Sequence, residues 1–118
     1  MRHSLYKKSF SEGYMDTPVE FENLDAVRSW IHETLCDREN LLTDQFPTTE
    51  IPLIKKGKLC GLQYTLHGPR NVRLGAIWAI DHNIIYFYDA QGERYHKQPL
   101  SNRVELADLS SSSNEAIA

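Results

Sequence analysis

Cys60, His67 and Asp89 supply the side-chain types of a thiol nucleophile, its base and the acid that would orient the base. Their setting argues against that chemistry. Cys60 and His67 lie an odd number of residues apart in one segment with strand character, so they point to opposite faces. No nucleophile signature surrounds the cysteine, and a small packed thiol is the better reading. His3, His32, His67, His82 and His96 are scattered without the Cys-x-x-Cys or His-x-x-x-His spacing of a metal site. No glycine-rich loop leads from a strand into a helix to cradle a phosphate. The expectation is a non-enzymatic protein with neither metal nor cofactor.

Binding chemistry has better material. In HGPRNVR, Arg70 and Arg73 flank a tight turn, and with Arg94 they offer guanidinium forks for a carboxylate or phosphate. Arg73, Tyr86, Tyr88, Arg94 and His96 also combine stacking surfaces with positive charge, as sheets that hold single-stranded nucleic acid do. The aromatic pattern of those sheets is absent, and the chain as a whole is acidic, with net charge -3 and pI near 5.9. A protein contact through tyrosine and arginine anchors is therefore favoured over nucleic acid, which is the competing reading.

These residues sit in a chain of 118 amino acids, 41% hydrophobic and 25% charged, the size and composition of one domain with one core. No apolar run is long enough to cross a bilayer, and the opening MRHSLYKKSF lacks the apolar centre of an export signal. A cytoplasmic protein with Cys36 and Cys60 as reduced thiols is expected.

An α+β fold is expected, with one main amphipathic helix packed on a four- to five-stranded antiparallel meander. Leu24, Val27, Ile31, Leu35 and Leu42 form one stripe at 100° per residue. Asn23 is the natural N-cap and Asp25 suits the first turn. Phe46-Pro47 forbids continuation, and fraying from Asp37 is expected where Arg38 enters the stripe. Strands are predicted over 51–55, 59–67, 72–80, 84–88 and 93–98. The turns between them are too short for crossover helices, and Gly92 should take a left-handed turn position. Residues 1–22 read as an extended arm of low order, 23–106 as the domain, and the serine-rich 107–118 as a disordered tail.

Alternation places Cys60, Leu62, Tyr64 and Leu66 beside Val72, Leu74, Ala76, Trp78 and Ile80, and beside Ile85 and Phe87, on the face that receives the helix. Pairing Leu66 with Val72 would align these sets. The opposite face carries Gln63, Arg73, Ile77, Tyr86 and Tyr88, and one helix cannot cover it as well. It is the candidate contact surface for a protein partner, which includes a second copy in a symmetric homodimer; no membrane contact is expected. A one-residue slip at the third turn would send the tyrosines inward instead. The stretch CGLQYTLHGPRNVRLGAIWAIDHNIIYFYDAQGERYHK resembles a segment of short uncharacterised bacterial proteins, a resemblance that implies no activity and transfers no functional residue.

Overall fold

The computed structural model describes residues 17–106 and 116–117. The helix, α1, spans Leu24–Arg38. Its N-cap is Asn23, whose Oδ1 accepts the Ala26 amide at 2.9 Å, and Asp25 lies in the first turn where the helix dipole favours negative charge. It ends before the proline signal, in a Schellman arrangement. Asn40 takes φ 56°, and the Leu41 amide returns to the Cys36 carbonyl at 2.9 Å while the Asn40 amide returns to Asp37 at 3.3 Å. Asparagine tolerates the left-handed conformation this closure needs. The stripe accordingly stops at Leu35: Leu42 lies past the helix and is 62% exposed.

Five antiparallel strands form the meander β1 Thr48–Lys55, β2 Lys58–His67, β3 Arg73–Ala79, β4 Ile84–Tyr88 and β5 Arg94–Pro99, joined by the two-residue β6 Ala116–Ile117. The spatial order is β5-β4-β3-β2-β1-β6. Each turn has local chemistry that explains it. Lys56 and Gly57 both take positive φ, 53° and 76°, as a two-residue turn matching strand twist requires. At the last hairpin Gly92 has φ 82°, and Asp89 Oδ1 accepts the amides of Gln91 and Glu93 at 3.0 and 2.9 Å. Pro52 is tolerated within β1 because β6 pairs only with Thr48 and Thr49, which leaves Pro52 on an open edge.

The β2–β3 connection differs from the expected tight turn. Pro69–Asn71 form a short 3-10 turn in which Arg70 and Asn71 take positive φ. The longer loop makes Leu66 pair with Leu74 rather than Val72. The change in register is two residues, so every side chain keeps its expected face. β1 also starts three residues earlier than predicted, at Thr48.

The helix-facing side of the sheet is the core. Leu62, Tyr64, Leu66, Leu74, Ala76, Trp78, Ile85 and Phe87 are buried with Val27, Ile31 and Leu35 from α1. Trp30, off the main stripe, is buried between Phe21 at 5.6 Å and Phe87 at 5.4 Å in an edge-to-face contact. The packed body therefore begins before residue 23. Phe21 is 2% exposed, its backbone is held in both directions by the Asn102 amide, and Val19 forms a parallel bridge with Leu100 at the β5 end. At the other end Ala116–Ile117 pair with β1. Most of the expected arm and tail, residues 1–16 and 107–115, lie outside the described residues.

Leu35 is fully buried against the sheet, so Leu35→Asp is expected to cost more than about 3 kcal/mol by placing an unpaired carboxylate in the core. Loss of the cooperative transition in a thermal melt followed by circular dichroism is the expected result. Nothing lies within 4 Å of a Cβ built on Gly92, so Gly92→Val should cost about 1–2 kcal/mol through backbone conformation alone, and Gly92→Asn less. Denaturant titration of the two variants measures that difference.

Candidate functional site: the uncovered sheet face

Two sets of polar residues stand out, one beneath the helix and one on the sheet face that no helix covers. Beneath the helix, the Glu50 carboxylate accepts Arg28 Nε at 2.9 Å and Nη2 at 2.7 Å, together with the Tyr64 hydroxyl at 2.7 Å. Arg28 also reaches Asp25 at 3.2 Å. The hydrogen bond to Glu50 holds Arg28 more firmly protonated, and burial pushes the Tyr64 hydroxyl well above its ordinary range. Nearby, His32 Nε2–H donates to the Thr43 carbonyl at 2.7 Å, which leaves Nδ1 to accept from the Thr48 hydroxyl at 2.6 Å. Every strong group here is engaged, so the cluster fixes α1 to β1 and offers no unfilled position to a substrate.

The cysteine, histidine and aspartate considered as a triad do not act on one another. Cys60 Sγ donates to the Leu53 carbonyl at 3.2 Å, His67 Nε2 meets Thr49 Oγ1 at 3.3 Å, and Asp89 caps the β4–β5 turn. Cys36 is fully buried, and burial raises its thiol to about 11, where little nucleophilic thiolate forms. Among the described residues no three His, Cys, Asp or Glu side chains converge as metal ligands, and no helix is long and apolar enough to cross a membrane.

The uncovered face is built by strand parity. One cross-strand row runs Ile51, Gln63, Ile77, Tyr86, Lys97, and the next runs Thr49, Thr65, Gly75, Tyr88, Arg94. This row structure brings together Gln63, Ile77 and Tyr86 as expected, puts Arg73 one row beyond Gly75, and keeps both tyrosines outward. Arg70 stays apart, on the exposed 3-10 turn. Arg73 and Arg94 stand on opposite sides of β4, with backbones on the order of 12 Å apart from strand spacing and rise, so the three arginines do not form one anion cradle. The Arg94 guanidinium lies 4.8 Å over the Tyr86 ring.

Gly75 makes a notch in this face. With no side chain between Thr65 and Tyr88, it opens a depression of about 300 Å³ bounded by Gln63, Thr65, Arg73, Ile77, Tyr88 and the β4–β5 turn. Thr65 and Gly75 share this face by the alternation expected of β2 and β3, and Ile51 and Lys97 join it from β1 and β5, whose parity would have found them once their register was known.

Charge is segregated across the sheet. Residues 17–47, which carry the helix, hold seven carboxylates against two arginines. The uncovered face presents Arg73, Arg94 and Lys97 and, among the described residues, no carboxylate at any outward strand position. No protein-family model, curated protein or solved structure matches the chain.

Tyr95 reports on the packing between α1 and β5. Its hydroxyl is buried without a hydrogen-bond partner among the described residues, Arg38 lies 4.2 Å over its ring, and burial raises it from 10 to about 12. Between those values the unfolded chain binds fewer protons than the folded one, so stability falls as pH rises through that window. Tyr95→Phe is expected to leave neutral-pH stability unchanged or raise it by up to about 1 kcal/mol. It should also make the alkaline decline shallower, with Tyr64 supplying the remainder; urea titrations at pH 7 and pH 11 measure both effects.

Proposed function

We propose that the protein is a non-enzymatic protein-interaction module that works through the uncovered face of its sheet. The observation that carries this reading is the division of the sheet. One side is sealed by α1, while the other presents Ile51, Ile77, Tyr86 and Tyr88 in adjoining rows bordered by Arg73, Arg94 and Lys97. Ile51 is 44% exposed. Tyrosine and arginine around an apolar centre are the residue types that anchor protein contacts. The strong polar groups beneath the helix are internally satisfied, which favours a binding role over a catalytic one.

The partner we favour is a different protein rather than a second copy. A twofold pairing through this face brings two surfaces together that carry the same three cations and no carboxylate at an outward strand position, so charge complementarity is missing. A nucleic-acid strand is the competing occupant, supported by the same cations. Against it, the Arg94 guanidinium covers one face of the Tyr86 ring, which restricts the stacking of a base there.

The test is purification of the tagged full chain from its own cell, beside Ile77→Lys, which adds a charge at the centre of the face and leaves the core untouched. The expected outcome is a protein complex with the wild type that the variant loses, while both chains alone sediment as monomers across the concentration range. A complex that survives Ile77→Lys, or a self-associating wild type, removes this reading.

A further inference from the structure

We propose that the notch over Gly75 seats a carboxylate side chain from an acidic, extended segment of the partner, with Arg73 as its counter-ion. The inference rests on the interaction-module reading and names the chemistry of its partner.

Arg73 is the cation the fold leaves unused at this site. Arg28 is bound by Glu50 and Asp25, Arg38 by Asp89 and the Tyr95 ring, and Arg103 by the carbonyls of Ile80 and Asp81. Among the described residues Arg73 has no hydrogen bond or ion pair, and it stands exposed beside the notch. Its guanidinium fork matches a carboxylate in two parallel hydrogen bonds. The notch supplies the remaining donors, from the Gln63 amide and the Thr65 and Tyr88 hydroxyls, and its floor is backbone because residue 75 has no side chain; the one carboxylate residue lining it, Asp89, is already engaged by the Gln91 and Glu93 amides and by Arg38.

The surroundings select an extended segment. Ile77 and Ile51 lie in the next row, one pleat repeat from Gly75 and Thr49, so a chain laid along the sheet would set acidic and apolar side chains alternately on notch and row. The long-range field acts the same way, because carboxylates concentrate on the helix side and cations on this one, which steers an acidic partner to this face. A second copy offers its acidity on the helix side. Docked on this face, it would pair head to tail and propagate rather than close.

Gly75 gives a clean test. A Cβ built there meets only the Tyr64 carbonyl, at 3.5 Å, an ordinary contact, so Gly75→Val fills the notch in a chain that still folds. Fluorescence anisotropy of the full chain uses three labelled probes: a ten-residue peptide with glutamate and valine in turn at every second position and serine between them, its counterpart with glutamine for glutamate, and a ten-nucleotide oligothymidylate. The glutamate probe is expected to bind at least tenfold more tightly than the glutamine probe and to weaken as salt rises. Arg73→Gln and Gly75→Val should each lose tenfold or more, and Arg70→Gln should bind as wild type.

Equal binding of both peptides overturns the acidic specificity while leaving the interaction face in place. Glutamate-probe binding unchanged by Arg73→Gln and Gly75→Val overturns the notch. Binding of no probe also overturns the inference, and the Ile77→Lys purification then decides the module reading alone. Oligothymidylate that binds most tightly and displaces the peptide overturns both.

Discussion

α1 has one apolar stripe and the sheet has two faces, and most of the molecule follows from that mismatch. Val27, Ile31 and Leu35 meet Leu62, Leu66, Trp78 and Phe87 in a core from which water is excluded. Each such aliphatic side chain contributes about 1.5–3 kcal/mol by leaving water. With the helix committed to that side, the other side must be compatible with water or find a partner. Its composition shows both tendencies, with cations and hydroxyls at the borders and isoleucine and tyrosine between them.

The polar groups beneath the helix are part of the same constraint. Glu50 sits on the core side of β1 at 2% exposure, where an unpaired carboxylate could not stay charged without large cost. Two bonds from Arg28 and one from Tyr64 satisfy it, and His32 bridges α1 to Thr43 and Thr48 in the same layer. A buried charged pair of this kind contributes little net stability against a hydrophobic replacement. Its directionality, however, allows one azimuth of the helix over β1. That azimuth leaves the helix's exposed carboxylates facing away from the sheet, and so separates the charges that the interaction reading depends on.

The segments around Phe21 and Asn102, on either side of the helix and meander, close the structure at the β5 side. Asn83, with φ 57°, accepts Trp78 Nε1–H and donates to the carbonyls of Leu100 and Asn102. Asn102 in turn holds Phe21. One turn asparagine thus connects the centre of the core to the segments flanking it, which is why Phe21 packs as firmly as residues of the helix itself.

Periodicity by itself determined the helix, the five-strand meander and the face of nearly every strand residue, because each depends on local geometry: 100° per residue in a helix, alternation in a strand, and turns too short for crossovers. The N-cap at Asn23 and the left-handed Gly92 were legible for the same reason. The helix end was also encoded locally, in Asn40, although Leu42 extends the apolar stripe and obscures it. Tertiary structure alone decided the rest. The Leu66–Leu74 register depends on how five loop residues close, and a shift of two leaves the hydrophobic pattern unchanged, so alternation cannot detect it. The pairing of Arg28 with Glu50, the inward packing of Phe21, and the notch formed by Gly75 between Thr65 and Tyr88 each join residues from different elements. No spacing within one segment encodes such a meeting; it is fixed only when the helix settles on the sheet and the strands lock side by side.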